Sequence, residues 1–263
     1  MTTEHFIIDL FCRVDDKMLD VGKHSQAALY PSEVVTVALL FALKGVGNRA
    51  FYRWLTRDYR HLFPQLPERT RLFRLFNSHR KWLRSFTAEP SLIGVIDSYG
   101  IELLHPRREG RSNKQIGRKG SSNRRWIVGG KLCLLLNHLG LVVDWDCDTA
   151  NVYDGSTFQH LVDGVADEMV VFADVHFSKK GWDPLNLRLC QRGEWNDRMM
   201  VETVLSMLTL VCHFKKVMHR KWAYFKSRVG YTMALFNLLV QWHGLEPDES
   251  GGMVHLAIAE FSL

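Results

Sequence analysis

The stretch Ser91-Leu-Ile-Gly-Val-Ile-Asp-Ser-Tyr-Gly100 decides the fold class that the sequence predicts. Its apolar run is rich in β-branched residues and ends at Asp97, shortly before the breaker Gly100. Such a run predicts a buried central strand. An acid where the strand ends lies at the mouth of a sheet, where α/β proteins tend to place ligands. A cap of the following turn is the simpler role for Asp97, and this stretch alone leaves both roles open.

The stretch Met169-Val-Val-Phe-Ala-Asp174 repeats this design, because it is again a compact apolar strand that ends in an acid. Between the two strands, the apolar runs 127–136 and 141–145 flank Asn137-His-Leu-Gly140 and predict a β-hairpin. The sequence therefore predicts a sheet with two acids at strand ends.

The rest of the second half alternates between helical and strand patterns. Residues 154–165 predict a helix packed on the sheet, residues 187–190 a last short strand, and residues 221–241 a long helix. No Gly, Ser or Pro linker divides this part of the chain. We therefore expect residues 89–263 to form one α/β domain with a mixed sheet.

Residues 1–88 predict a small all-helical region. One helix begins at Pro31, a natural helix start, and runs to Lys44. A later helix begins at Pro67-Glu68, and its polar side carries the cations Arg69, Arg71, Arg74, Arg80, Lys81 and Arg84. Short helices with tight turns and one basic helix are typical of a helix-turn-helix-like DNA-binding unit. A helical bundle with a solvated basic face is the alternative.

The composition points to a polyanionic partner. The chain of 263 residues has a formal charge of +6 and a pI near 9.1, which favours nucleic acid over a membrane surface. Its five cysteines are never spaced as CxxC, which argues against a zinc site and a disulfide framework. The N-terminus has no basic signal-peptide region, and the longest uncharged apolar run, Val34–Leu43, is too short to span a bilayer. We expect a cytoplasmic protein with no membrane partner.

The densest charge of the chain lies between two predicted strands. Glu109 is the one acid among eight cations, which are Arg107, Arg108, Arg111, Lys114, Arg118, Lys119, Arg124 and Arg125. Interspersed Gly, Ser and Asn residues predict a flexible loop. Such a loop can follow a phosphate backbone, where each ion-pair contact adds affinity without regard to sequence. A solvated basic loop is the alternative.

A helix predicted from about residue 196 to 214 is apolar nearly all round, so we expect it to be buried. Its one polar stripe consists of Arg198, Glu202, Ser206, Thr209 and His213, which helical spacing places on one face. A buried polar stripe needs partners. An ion pair between Arg198 and Glu202 is the simplest arrangement.

Asp97, Asp174 and Glu202 thus come from three different elements. Three converging carboxylates would repel one another unless cations shared the site. Hard oxygen ligands suit Mg²⁺ or Mn²⁺. Two such ions activate an attacking oxygen and stabilise the leaving oxygen of a phosphoryl displacement. This chemistry fits the basic loop, because the polyanion that the loop binds would be the substrate.

The order of these acids, with intervals of 77 and 28 residues, resembles that of the DDE transposases of bacterial insertion sequences. The resemblance covers essentially the whole chain. Six local sequences are similar to boxes of that family, and they are Val95-Ile-Asp-Ser98, Gly129-Gly-Lys-Leu132, Thr149-Ala-Asn-Val152 with Asp154, Val171-Phe-Ala-Asp174, Arg198-Met-Met-Val-Glu202 and Ala234-Leu-Phe-Asn-Leu-Leu239. The Arg-xxx-Glu helix is the most specific of them.

The resemblance implies an RNase H-like catalytic domain at residues 89–263, preceded by a helical region at residues 1–88. It implies that Asp97, Asp174 and Glu202 are catalytic and bind two Mg²⁺ or Mn²⁺ ions, and that Arg198 orients Glu202 or contacts phosphate.

The resemblance also bears on the DNA contacts, to which Lys131 and the basic loop are assigned. Trp195 stands where related transposases often have Tyr, and it can stack on a base. Thr209 stands where they often have Lys, and Val175-His-Phe177 replaces a more usual Lys-Gly-Tyr, so that His176 is a substitute contact.

The sequence therefore predicts a transposase that cuts double-stranded DNA at the terminal inverted repeats of a mobile element and joins the ends to target DNA. We expect a homo-oligomer on DNA in the bacterial cytoplasm, associated with the nucleoid. One alternative is a catalytically inactive DNA-binding remnant of a transposase, which Thr209 favours. The other is a structure-selective DNA nuclease with the same core.

Overall fold

The structure is a computed structural model that describes residues 2–122, 125–179, 181, 183–191, 198–214, 217, 219–246, 254–261 and 263. Within the helix that begins at Arg198, the side chains of residues 198 and 199 are not described. Two residues assigned to DNA contact, Arg124 and Trp195, lie outside the described residues.

The first part of the chain is helical, as the sequence predicts. The helices are α1 (Thr3–Asp16), α2 (Pro31–Lys44), α3 (Asn48–Asp58) and α4 (Arg69–His79), and a 3₁₀ helix at Arg80–Phe86 continues α4. Two residues explain where α2 begins and ends. The ring of Pro31 fixes a helical φ in the first turn, and Gly45 ends the helix because it adopts the left-handed conformation with φ 65°.

Helix α2 lies in the middle of the core. All residues from Val34 to Leu43 are buried, so the helix presents no polar face to water. A helix that is apolar all round is stable in water only when other elements cover it on every side. The covering elements include α1, α4 and α8 (Trp222–His243).

The second part of the chain forms a mixed sheet with helices on its faces. Its strands are β1 (Ile93–Leu104), β2 (Arg118–Ser122), β3 (Arg125–Asn137), β4 (Val142–Thr149), β5 (Val170–Asp174) and β6 (Leu187–Cys190). The remaining helices are α5 (Asp154–Thr157), α6 (Gln159–Asp163) and α7 (Arg198–Val211), with short 3₁₀ helices at Pro106–Arg108, Val175–Phe177 and Ala259–Phe261.

The sheet has the strand order β2-β3-β1-β5-β6, and β4 pairs with the same edge of β3 as β2 does. Strand β3 is antiparallel to β1, β2 and β4, whereas β1, β5 and β6 run parallel to one another. Three antiparallel strands followed by two parallel ones, with helices on the faces, agree with the predicted RNase H-like core preceded by helices. The predicted fold class is confirmed.

Three local predictions are wrong. The strand predicted to end at Asp97 continues to Leu104, because β1 pairs with β3 through Ser98, Tyr99 and Gly100. Part of the predicted flexible loop, Arg118–Ser122, is a strand paired with the start of β3. The single helix predicted at residues 154–165 is broken at Phe158 into α5 and α6.

The hydrophobic core runs through both parts of the chain. One cluster of buried residues joins α1, α2 and α4 to α7, α8 and one face of the sheet, and a second cluster lies under α6 on the other face. The boundary between residues 1–88 and 89–263 stays a prediction. In the part of the chain that the structure describes, no single helix is long and apolar enough to cross a membrane, although α2 and α3, bent by 117° at their junction, pass that test as a pair.

Candidate active site and nucleic-acid interface

Asp97 and Asp174 lie on neighbouring parallel strands. The register of β1 and β5 pairs Ile93 with Val170, Gly94 with Val171 and Val95 with Phe172. When this register is continued by two residues, Asp97 stands beside Asp174. Adjacent strands are about 4.8 Å apart, so the two carboxylates are close neighbours across the sheet. Residues paired between β1 and β5 are 77 positions apart in the sequence, and Asp97 and Asp174 have this same separation.

Both acids point to the face of the sheet that α7 covers. Side chains alternate along a strand, and Val95 belongs to the core cluster that includes α7, whereas Ile96 belongs to the cluster on the other face. Asp97 therefore lies on the α7 face. Ala173 belongs to the opposite cluster, which places Asp174 on the α7 face as well.

The local hydrogen bonds of the two acids differ. Asp97 lies within β1, and its Oδ1 accepts a hydrogen bond from the backbone N–H of Ser98 at 2.7 Å. Asp174 ends β5, and its Oδ1 accepts from the backbone N–H of His176 at 2.5 Å, which caps the 3₁₀ helix that follows. The simpler role considered for Asp97, the cap of a turn, is thus found at Asp174. The side chain of His176 is exposed.

Glu202 lies on α7 and is exposed to solvent. The expectation that this helix is buried nearly all round is wrong, because Leu210 is 61% exposed and only one side of the helix packs on the sheet. That side consists of Val201, Val204, Leu208 and Val211. Of the predicted polar stripe, Glu202 and Ser206 are exposed and Thr209 is half-buried, whereas His213 lies beyond the end of α7 with φ 51° and next to Gly45. Sequence alone did not show which apolar residues of α7 would remain uncovered.

Among the residues that the structure describes, no three His, Cys, Asp or Glu side chains lie close enough together to hold a metal ion. The structure thus brings Asp97 and Asp174 together and does not add Glu202 to them. The chemistry of the pair still fits a hard divalent cation, because two carboxylates on adjacent strands supply charged oxygen ligands from a rigid support.

The opposite face of β1 carries a second polar group. Lys131 of β3 donates to Oδ1 of Asp154 and to the carbonyl of Val152, at 2.8 Å in each case. Ser98 donates its hydroxyl hydrogen to the other carboxylate oxygen of Asp154 at 2.7 Å. Lys131, which the sequence assigns to DNA contact, therefore already has the carboxylate of Asp154 as a partner.

Negative charge accumulates around this part of the sheet. Cys133 pairs with Ser98 across β1 and β3 and is fully buried. Its burial raises the pKa of the Cys133 thiol well above the ordinary value, and the charges of Asp154 and Asp97 raise it further. The thiol therefore stays protonated, and carboxylates act on it from both faces of the sheet.

The basic loop is on the surface. All of its described cations, Arg107, Arg108, Arg111, Lys114, Arg118, Lys119 and Arg125, are exposed. Lys119 lies 4.0 Å from Glu109 and over the ring of Trp126, and the other members extend into solvent. Trp126 is 64% exposed at the start of β3, so an aromatic surface lies among the cations. This aromatic surface is absent from the sequence-based prediction, although the run Arg124-Arg125-Trp126 contains the signal for it.

A cleft of about 750 Å³ separates this loop from the residues before α8. Leu103, Leu104 and Ile116 line its apolar part. Its rim carries loop cations on one side and Arg220 and Lys221 on the other. Those two cations were also missed, because they lie about a hundred residues further along the chain and only the fold brings them to the loop.

A second basic concavity, of about 340 Å³, lies between the 3₁₀ helix at Arg80–Phe86, β4 and α8. Arg80, Lys81 and Arg84 line it together with Asp144 and Lys226. The basic side of the predicted DNA-binding helix is thus exposed next to the sheet, on the outside of the shared core.

The comparisons with known proteins agree with this fold. Residues 89–186 match the family model described as the transposase DDE domain, a range that contains Asp97 and Asp174 and ends before Glu202. This match confirms the resemblance to the DDE transposases of insertion sequences and supports a transposase at the level of the family. Neither a curated protein nor a solved structure matches the chain at a significant level.

Proposed function

We propose that this protein is a transposase that binds the ends of a mobile DNA element and catalyses metal-dependent cleavage and strand transfer. The observation that carries the proposal is the register of β1 and β5, which sets Asp97 beside Asp174 within the part of the chain that matches the transposase DDE domain. Carboxylates on adjacent strands and an exposed basic surface in one chain suit the cutting of a polyanion.

In this proposal Asp97 and Asp174 hold divalent ions, Mg²⁺ or Mn²⁺, and Glu202 is the third carboxylate by family resemblance. When bound, two such ions activate an attacking oxygen and stabilise the leaving oxygen of a phosphodiester. The chain itself contributes the positions of the acids. The cap at His176 holds the carboxylate of Asp174 in place, and the continuous pairing of β1 with β3 holds Asp97.

The exposed loop cations and the rim of the cleft bind the DNA backbone. Seven described cations of the loop are exposed, and three of them, Arg108, Arg111 and Lys114, line the same cleft as Arg220 and Lys221. Contacts of this kind give affinity that falls steeply with salt, and they do not read sequence. Trp126 supplies a surface on which a base or sugar can stack.

The partners would be double-stranded DNA, both the terminal inverted repeats and the target, and a second copy of the protein that pairs two ends. We place the protein in the bacterial cytoplasm, with the nucleoid. This proposal also includes the role of Arg198, which would orient Glu202 or contact phosphate; the structure does not describe its side chain.

The experiment is a cleavage assay on a supercoiled plasmid that carries the DNA flanking this reading frame, with Mg²⁺ or Mn²⁺. Asp97→Asn should abolish cleavage and leave DNA binding intact, because the amide keeps the shape of the side chain and loses its charge. Asp163→Asn, an exposed acid on α6, is the matched control and should cut like the wild type. Cleavage at the wild-type rate by the Asp97 variant would refute the site.

The inactive remnant is the second candidate, and Thr209 is the residue that favours it. A threonine cannot neutralise phosphate where related transposases often have Lys. The inactive-remnant hypothesis predicts that the protein binds DNA and does not nick any end sequence in the presence of metal. Nicking without joining, and without a preferred end sequence, would instead identify a structure-selective nuclease.

A further inference from the structure

We propose that Ser98, Lys131 and Asp154 form a positioning network that holds Asp97 from the reverse face of the sheet, and that Lys131 acts on the active site through Asp154 and not on DNA. The inference rests on the proposed function of Asp97 as a metal ligand. It concerns residues on the face of the sheet opposite to the two acids.

The hydrogen bonds of the network occupy both oxygens of one carboxylate. Lys131 Nζ lies 2.8 Å from Asp154 Oδ1, and Ser98 Oγ lies 2.7 Å from Asp154 Oδ2. Lys131 Nζ also donates to the carbonyl of Val152 at 2.8 Å. The network thus ties β1 and β3 to the chain that leads from β4 into α5.

The ion pair of the network is largely shielded from water. The side chains of Lys131 and Asp154 are only 15% and 18% exposed. The loss of either partner would leave a charge that is poorly solvated and uncompensated, so the pairing favours this one arrangement. The described cations of the basic loop are instead exposed, as a phosphate contact requires.

The link to Asp97 runs through Ser98. The hydroxyl of Ser98 is held by Asp154 on one face of β1, and its backbone N–H donates to Asp97 Oδ1 at 2.7 Å. Residue 98 is therefore fixed by its side chain and its backbone at once. A displacement of about 1 Å in a reacting group can cost about 100-fold in rate, so the position of this residue matters to Asp97.

An ordinary ion pair that only stabilises the sheet is the competing explanation. The two explanations differ for Ser98→Ala, which removes one hydroxyl and leaves the ion pair in place. If the network positions Asp97, the variant binds Mn²⁺ about 10-fold more weakly, because the backbone N–H that supports Asp97 is no longer held in place by the bond from the Ser98 hydroxyl to Asp154. Ser98→Thr keeps the hydroxyl and should restore the wild-type affinity.

A second experiment distinguishes a role of Lys131 in the network from a role in DNA contact. Arg125, on the same strand, is the matched control. Lys131→Met should weaken Mn²⁺ binding and leave the DNA dissociation constant and its salt dependence unchanged. Arg125→Met should do the reverse and lower the slope of log K against log salt by about one. DNA binding is followed by fluorescence anisotropy on an end-sequence duplex.

The test measures Mn²⁺ binding to the free, full-length protein by electron paramagnetic resonance, with thermal melting of each variant, and cleavage as a separate assay. Unchanged Mn²⁺ affinity in folded Ser98→Ala overturns the inference, and so does a salt slope that falls for Lys131→Met as for Arg125→Met. Absence of Mn²⁺ binding by the wild type overturns it as well.

The inference and the proposed function fail in different ways. A wild type that binds Mn²⁺, loses this affinity in Asp97→Asn and Ser98→Ala, and cuts no DNA refutes the transposase and supports the network. A wild type that cuts DNA, with a Ser98→Ala variant that cuts and binds Mn²⁺ equally well, supports the transposase and refutes the network. If Lys131→Met does not fold, the pair of Ser98 variants decides.

Discussion

The side-chain amide of Asn237 on α8 forms two hydrogen bonds with the backbone of Val142 on β4, as a neighbouring strand would. Its Oδ1 accepts the N–H of Val142 at 2.8 Å, and its Nδ2 donates to the carbonyl of the same residue at 2.7 Å. Nδ2 also donates to the carbonyl of Phe86 at 3.0 Å. One buried amide thus joins the last long helix, an edge of the sheet and the end of the N-terminal helices.

We expect Asn237→Leu to destabilise the protein by about 3 kcal/mol, because each buried backbone group that loses its partner costs about 1–3 kcal/mol. Thr232→Val is the control on the same helix, since its hydroxyl only donates to the carbonyl of Arg228 within α8. That change should cost about 1 kcal/mol or less. Urea unfolding of both variants checks the difference, and equal losses would contradict the bridging role.

Gly129 and Gly130 of β3 should respond very differently to alanine. A Cβ at Gly129 would lie 1.9 Å from the carbonyl oxygen of Ile101, and backbone atoms of the paired strand cannot move aside. A Cβ at Gly130 would meet the ring of Phe225 at 3.1 Å, which small shifts relieve.

Gly129→Ala should therefore prevent the pairing of β1 with β3 and yield a protein without a cooperative unfolding transition. Gly130→Ala should fold and lose about 1 kcal/mol. Circular dichroism during urea titration measures both. A cooperative transition of wild-type midpoint for Gly129→Ala would show that the two strands are further apart than described.

Charge on the basic loop should set the salt dependence of DNA binding. Arg111→Ser with Lys114→Ser removes two exposed cations beside the cleft, so the slope of log K against log salt should fall by about two. Lys17→Ser with Lys23→Ser makes the same charge change near α1 and should leave the slope unchanged. Anisotropy titrations at several salt concentrations measure it. The loss should be equal for specific and random duplexes, and a loss confined to one sequence would indicate base contacts instead.

His219 makes folding sensitive to acid. Burial, assisted by the charge of Arg228, lowers the pKa of His219 from 6.5 to about 4. The unfolded chain therefore takes up a proton at a higher pH than the folded chain does. The free energy of unfolding should fall as the pH falls from 6.5 towards 4, by roughly 3 kcal/mol from this residue.

Urea unfolding at pH 7, 6, 5 and 4.5 measures this dependence, and His219→Phe should flatten it. An equal slope in the wild type and the His219 variant would mean that the imidazole reaches water.

The predictions that succeeded rest on strong local signals. The bounds of α2 agree with the structure because Pro31 and Gly45 fix its ends, and β6 agrees because Leu187–Cys190 alternates between leucine and other residues, as a short strand does. The sequence also placed Asp97 and Asp174 on two separate apolar strands, and both lie on strands, although only Asp174 ends one.

The predictions that failed concern what tertiary contacts decide. Ser98, Tyr99 and Gly100 resemble a turn in sequence, yet pairing with β3 keeps them in a strand. The apolar sequence of α7 does not show which side the sheet covers, so the exposure of Leu210 could not be inferred. The partner of Lys131 lies 23 residues away in another element, and only the fold reveals it.

Because α2 is buried on all sides, we expect that residues 1–88 and residues 89–263 do not fold when each is expressed alone. A fragment that begins at residue 89 would leave the side of α8 that contacts α2 bare, and a fragment that stops at residue 88 would present α2 uncovered to its neighbours in solution. Truncation would thus produce aggregating pieces, and the proposal that the helical region binds DNA has to be tested by point substitution in the intact polypeptide.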